Sequence, residues 1–162
     1  MGQVVERQCL AQFLKPHRDA GQTIVFTNGC FDLLHIGHVR YLAEAKRYGD
    51  VLVVGVNSDS SVQRLKGPRR PLIPETERAE MLAHLCSVDY VTLFDELTAD
   101  RLIEEVIPHV YVKGGDIDPA RIPEAPTVQR LGGRVVIAQY VDAHSTSRII
   151  ARVLSAYDAA NG

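Results

Sequence analysis

The sequence predicts a single doubly wound α/β domain with a five-stranded parallel sheet, a Rossmann-like arrangement. Five short, nearly continuous apolar runs rich in β-branched residues recur along the chain, at residues 23–27, 51–56, 90–94, 109–112 and 134–139. Runs of that kind without polar alternation suit strands buried on both faces, which is the condition of a parallel sheet. Helix-like segments separate the runs, and 162 residues is the length of one ordinary domain. Repeats, low-complexity tracts and a Pro/Gly/Ser linker are absent, so residues 1–162 are taken as one unit.

The elements follow in order. Within residues 1–20, the stretch 3–20 reads as an N-terminal helix lying against the sheet, and residues 21–157 form the core. After the first strand, residues 39–48 place Tyr41, Leu42 and Ala45 on one helical face. Residues 74–82 open with Pro74, Glu75 and Glu77, the proline and acidic residues that favour a helix N-terminus. Residues 98–107 form the next helix, stopped by Pro108. The last helix starts near Ser145 and carries Ile149, Ile150, Val153 and Leu154 at helical spacing.

Composition excludes several classes. Hydrophobic residues make up 46% and charged residues 23%, as in soluble globular proteins. No apolar run approaches the roughly 20 residues of a membrane span. The N-terminus lacks the apolar core of a signal peptide, and a cytoplasmic location follows by default. A formal net charge of -2 argues against a nucleic-acid binder, so any anion site must be local. The 3 cysteines, Cys9, Cys30 and Cys86, lie far apart and read as reduced thiols rather than a disulfide or zinc framework.

In doubly wound folds ligands bind beyond the carboxyl ends of the strands. There the chain places Asn28-Gly29-Cys30-Phe31-Asp32, followed by His35-Ile36-Gly37-His38 at the start of a helix. Gly37 lets a phosphate approach unpaired backbone N–H groups, whose charge the helix dipole reinforces. His35 and His38, three apart, face the same ligand and donate to it. A metal is the weaker use, because a third ligand is not evident. Ser145, Thr146 and Ser147 give three consecutive hydroxyls before the last helix, more than N-capping needs, and point to phosphate as well. Lys113-Gly114-Gly115-Asp116 ends the fourth strand, where its glycines equally suit a plain turn. Lys66-Gly67-Pro68-Arg69-Arg70-Pro71 is either a solvated loop or a cationic lid over an anionic substrate. Cys30 reads as a small packing residue of a tight turn, with a catalytic thiolate as the lesser alternative.

On these residues the chain resembles the cytidylyltransferase-like branch of the nucleotidyltransferases, marked by His-x-Gly-His after the first strand and a Ser/Thr-rich start to the last helix. The resemblance runs from about Gly21 to Leu154. Within the branch it looks most like the D-glycero-β-D-manno-heptose 1-phosphate adenylyltransferases of ADP-heptose synthesis, which feed the lipopolysaccharide inner core. The stretches from Asn28 to His35, from Gly55-Val56-Asn57-Ser58-Asp59 through Lys66 and Pro71 to Glu77-Arg78, and Val112 to Asp116 carry that finer likeness. Glycerol-3-phosphate cytidylyltransferases are the nearest competitors, and a catalytically silent nucleotide-binding module is the competitor of another class. Ile117, where the heptose enzymes often have an aromatic, and the proline-rich residues 122–126 depart from the pattern.

The resemblance implies an enzyme with the His-x-Gly-His nucleotidyltransferase fold. It implies that His35, His38 and Lys66 are catalytic, the histidines on the triphosphate and Lys66 bridging the two anionic reactants. Asn28, Gly29, Cys30, Phe31, Gly37, Lys113 and Asp116 would bind the nucleotide, with Ser145, Thr146 and Ser147 on its β and γ groups. Asp32, Asn57, Asp59 and Arg70 would face the sugar phosphate. The expected cofactor is Mg2+, bound mainly through ATP phosphates, with no dedicated protein metal site. The expected partners are ATP, a sugar phosphate, a second copy of the chain and a separate heptose kinase, with neither nucleic acid nor membrane.

Overall fold

The computed structural model describes residues 1–115, 118, 121–138 and 145–158. Asp116, Ile117 and His144 lie outside the described residues. Six parallel strands form the sheet: β1 (Gln3–Val4), β2 (Ile24–Gly29), β3 (Val51–Asn57), β4 (Tyr90–Phe94), β5 (Val110–Gly114) and β6 (Arg134–Ala138). Their spatial order is β1-β4-β3-β2-β5-β6, so the chain starts a new direction on either side of β2. The seven α-helices described are α1 (Leu10–Asp19), α2 (Ile36–Lys46), α3 (Asp59–Lys66), α4 (Glu75–Ala83), α5 (Asp100–Val106), α6 (Ala125–Arg130) and α7 (Thr146–Asp158).

Apolar strands require cover on both faces, and two separate cores supply it. One packs Leu10 and Leu14 of α1, Leu102, Ile103 and Val106 of α5 and Val128 of α6 against Phe26, Val53 and Tyr111. The other packs Leu42 and Ala45 of α2 with Ala79, Leu82 and Ala83 of α4 against Val25, Val54, Val91 and Val112. β3 is buried at every position, as a central parallel strand should be. The site therefore sits at the crevice beside β2, where the winding reverses.

The structure corrects the sequence reading at the N-terminus and adds two features that the reading did not state. The sheet has six strands rather than five, because Gln3 and Val4 pair with Tyr90 and Val91 instead of starting a helix. A two-residue strand is too short to show periodicity; main-chain bonds such as Gln3 N–H to Asp89 O at 2.9 Å hold it. Second, α3 and α6 were not expected. In α3 only Val62 is a buried apolar residue, although Ser58 does cap it by accepting from Ser61 N–H at 3.1 Å. Third, the apolar stripe of α7 is not covered as a core face would be, since Val153, Leu154 and Tyr157 are exposed.

Candidate active site

An open cleft of about 590 Å³ gathers residues from the carboxyl ends of β2, β3 and β5 and from the start of α7. At one end the chain leaves β2 through Cys30 and a turn in which Phe31 adopts φ 47°, the left-handed region rarely occupied by bulky side chains. His35 is the N-cap residue of α2, in extended conformation, and His38 N–H bonds His35 O at 2.9 Å in the first turn. The two imidazoles stack with centroids 3.8 Å apart, and Phe31 sets its ring edgewise to His38 at 5.3 Å. Burial, and secondarily the charge of His35, pushes His38 down to about 4. His38 is thus a neutral imidazole at neutral pH, and its Nδ1 is buried with no hydrogen-bond partner. Thr146 Oγ1 donates to Leu33 O at 3.3 Å, which brings the start of α7 onto the same turn. Ser145 Oγ caps α7 by accepting from Arg148 N–H, while Ser145, Thr146 and Ser147 all line the cleft.

The floor is a knot of buried charge. Asp32, 1% exposed, pairs with Arg70 and accepts from Leu72 N–H at 2.7 Å and Ile73 N–H at 3.0 Å. Its Oδ1 therefore pins the segment after the cationic loop, while its Oδ2 fixes Arg70 of that loop over the signature turn. Beneath it lies Arg78, fully buried, which donates to Ile73 O, to Cys30 O and to Asp59 Oδ1. One guanidinium fork thus joins the turn after β2, the loop segment and the start of α3.

At the other end, Asn28 Oδ1 accepts from Tyr111 Oη at 2.6 Å and from Lys113 Nζ at 2.9 Å. Burial lowers the Lys113 ammonium from its ordinary value, opposed by the nearby Glu124 carboxylate at 3.9 Å. Tyr41 of α2 donates to Val112 O at 2.9 Å and bonds Thr27 Oγ1, tying helix, β2 and β5 at the cleft wall. A Cβ on Gly114 would meet the Tyr41 ring at 3.0 Å, so a side chain there would press on that wall.

The Cytidylyltransferase-like family matches residues 26–152, a span that holds both the stacked histidines and the hydroxyl cap. The chain belongs to this family. It is a nucleotidyltransferase, similar to proteins named Bifunctional protein HldE. That of Geobacter metallireducens is 55% identical over 148 residues, covering 91% of this chain and 30% of the relative. That of Syntrophotalea carbinolica is 52% identical, covering 94% of this chain and 31% of the relative. The chain thus spans less than a third of these relatives. The crystal structure of a lipopolysaccharide core biosynthesis protein from Thermoplasma volcanium GSS1 superposes with a TM-score of 0.63 at 32% identity. That match covers 76% of this chain and 100% of that one.

In this nucleotidyltransferase the cleft brings together His35, His38, Gly37, Asn28, Gly29, Cys30, Phe31, Asp32, Asn57, Lys66, Arg70, Lys113 and the three hydroxyls. Asp59 is the exception: it does not line the cleft, because the first turn of α3 turns it toward Arg78. Asn57 donates to Ser61 Oγ at 3.0 Å, which fixes its amide. The Cys30 thiol is pushed up by burial, with its Sγ 4.0 Å from Asn57 Oδ1, which favours packing over a thiolate. Among the described residues no three His, Cys, Asp or Glu side chains gather as a metal site. Sequence reasoning missed Arg78 as a site element, Tyr41 as a wall and Glu124 altogether. Arg78 was quoted only for likeness, and nothing local marks Glu124, since the fold alone brings it to Lys113.

A larger hollow of about 790 Å³ lies by β1, lined by Val4, Arg7, Leu93 and Glu105 among others. Among the described residues its one cation, Arg7, is committed to Glu96 and Glu105 at 2.8 Å each. Cations and hydroxyls converge instead in the smaller cleft, which is the candidate site for group transfer.

Proposed function

We propose that the chain transfers the adenylyl group of ATP to D-glycero-β-D-manno-heptose 1-phosphate, giving ADP-heptose and pyrophosphate for the lipopolysaccharide inner core. The observation that carries this reading is the HldE likeness, 55% identity along 91% of the chain, coupled to a cleft lined by His35, His38, Lys66, Arg70 and the hydroxyls of residues 145–147.

The nucleophile is an oxygen of the sugar phosphate, already ionised near neutral pH because a phosphomonoester's second pKa is about 6. That oxygen forms a bond to the α-phosphorus as the bond to the β-phosphate oxygen breaks, and pyrophosphate leaves with the electron pair. A general base has no proton to remove. The protein's task is in-line placement and stabilisation of phosphate charge. Neutral His38, beside His35, serves as an N–H donor to the triphosphate. Ser145, Thr146 and Ser147 hold its β and γ groups at the start of α7. Lys66, exposed at the end of α3, reaches both reactants, and Arg70, anchored by Asp32, faces the sugar phosphate. Mg2+ would arrive on the phosphate oxygens and neutralise them, with no residue of this chain assigned to hold it. Asp116 belongs to the nucleotide side of this reading.

Pyrophosphate release from ATP or CTP, each with heptose 1-phosphate or glycerol 3-phosphate, tests the assignment. Release with ATP and the heptose is expected. Release only with CTP and glycerol 3-phosphate would replace the reading with a cytidylyltransferase, and no release with any pair would leave a binding module. Lys66→Ala should raise KM for both reactants, on the order of tenfold; an unchanged steady-state profile would remove Lys66 from the mechanism. A homodimer and a separate kinase supplying the sugar 1-phosphate complete the proposal. The uncovered Val153, Leu154 and Tyr157 of α7 support the dimer, which sedimentation velocity would register.

A further inference from the structure

Leu65 is 43% exposed and Leu97 54% exposed, yet both line the cleft. Among the described residues they are the only large apolar side chains that combine the two properties. A solitary surface leucine carries no information, but these two share one wall. Ser61 and Leu65 are four apart in α3 and so lie on the same side of that helix. Ser61 Oγ donates to Glu96 O at 2.9 Å, which sets that side against the segment carrying Leu97. Asn57 Nδ2 donates to Ser61 Oγ at 3.0 Å and to Glu96 O at 3.5 Å, and Arg7 holds the Glu96 carboxylate. Asn57 and Ser61 are buried, so the leucines stand on a satisfied polar base and the wall is built before any ligand arrives.

The place of the wall selects its occupant. In the sheet order, α3 and the segment after β4 lie on the β3 and β4 side of β2, whereas Lys113 ends β5 on the other side. In the proposed reaction the histidines at the end of β2 and the hydroxyls of α7 hold the triphosphate, and the nucleoside continues toward Lys113. The β3 side is left for the acceptor, where Lys66 directly follows Leu65. The acceptor's phosphate meets cations there, and the leucines are matched only by apolar surface. Glycerol phosphate is flexible and has no fixed apolar face. A pyranose chair of the β-manno configuration presents one face of axial C–H bonds, because its anomeric phosphate is equatorial, and keeps its hydroxyls off that face.

We propose that Leu65 and Leu97 form an apolar platform for the C–H face of a pyranosyl phosphate acceptor, and that this platform selects such a ring over a short acyclic phosphate. The inference rests on reading the cleft as a site of transfer to a phosphate acceptor, and it names the residues that choose the acceptor class.

Calorimetric titration of the full chain, loaded with Mg2+ and α,β-methylene-ATP, tests it without requiring turnover. The titrants are D-glycero-β-D-manno-heptose 1-phosphate, β-D-mannose 1-phosphate and glycerol 3-phosphate. The wild type should bind both pyranosyl phosphates about tenfold or more tightly than glycerol 3-phosphate. Leu65→Ala and Leu97→Ala should each weaken pyranosyl phosphate binding about fivefold, while glycerol 3-phosphate and the nucleotide analogue stay within about twofold. Leu97→Met keeps the apolar area and should retain the preference, whereas Leu97→Asn, of similar size but polar, should lose it. In turnover the alanine variants should raise the acceptor KM about fivefold and leave the ATP KM within about twofold.

Equal wild-type affinity for all the acceptors, or binding of none of them, overturns the proposal without any variant, and so the test holds even where a substitution unfolds the chain. Alanine variants that keep the wild-type preference overturn it too. So do variants that weaken the nucleotide analogue as much as the sugar, because the leucines then face the nucleotide. If the wild type makes no ADP-heptose yet prefers pyranosyl phosphates through Leu65 and Leu97, the reaction assignment fails and this inference stands. If ADP-heptose forms and the alanine variants keep the preference, the reaction stands and this inference fails.

Discussion

In the proposed reaction His38 meets two demands, that it stay uncharged in a buried stack and that it present a donor to a polyanion. Stacking 3.8 Å from His35 makes a second positive charge unfavourable, and burial does the rest, holding the group at about 4 against an ordinary 6.5. As pH falls, the unfolded chain takes up this proton before the folded one does. The stability that neutral His38 contributes is therefore complete above pH 6.5, declines through the window, and is lost once pH drops through about 4. Melting curves of the wild type should accordingly fall more steeply between those limits than those of His38→Gln; parallel slopes would show that His38 is not depressed. For catalysis, His38→Ala should lower kcat by roughly a hundredfold or more, on the order of 3 kcal/mol of transition-state stabilisation, with the fold retained. Near-normal turnover in single-turnover experiments would end its assigned role. The pair was legible in the sequence because three-residue spacing at a helix start fixes a shared face. The neutral state of His38 was not, because desolvation depends on Phe31 and on neighbours far along the chain.

Among the elements, the segment from α3 to α4 shows how a loop becomes part of a site. Its cations suggest a mobile lid when read alone, yet Asp32 holds Arg70 and the amides of Leu72 and Ile73, so the loop is fastened to the turn after β2. Arg78 fastens it from below. Arg78→Lys keeps a charge but not the fork that reaches Ile73 O, Cys30 O and Asp59 together. It should lower stability by about 1–3 kcal/mol through orphaned carbonyls, read from urea midpoints. It should also raise the sugar-phosphate KM. A variant with wild-type stability and kinetics would reduce Arg78 to a bystander. The Pro74, Glu75 and Glu77 pattern foretold α4, whereas the Ser58 cap of α3 emerged only from the structure. The short α3 itself escaped because a helix with one buried apolar residue carries little periodic signal.

For the whole molecule, the two-core construction means that β2, β3 and β5 are fixed from both sides before any loop is placed. Leu102→Ala, which opens a void beneath β2 and β3, should cost about 2–5 kcal/mol and move the denaturation midpoint while leaving nucleotide specificity unchanged in the folded fraction. A loss under about 1 kcal/mol would mean that this side of the sheet collapses into the gap more readily than a close-packed core allows. The sequence by itself determined the α/β class, the parallel strands, the helix start that carries the histidine pair and the kind of chemistry, because buried-strand runs, helix caps and a histidine pair are local patterns. Only the tertiary structure decided the sixth strand, the removal of Asp59 from the cleft, the clamp of Asp32 and Arg78, and the approach of Glu124 to Lys113. Those features are contacts between residues distant in sequence, made by main-chain pairing and by desolvated charge, and neither leaves a periodic trace in the chain.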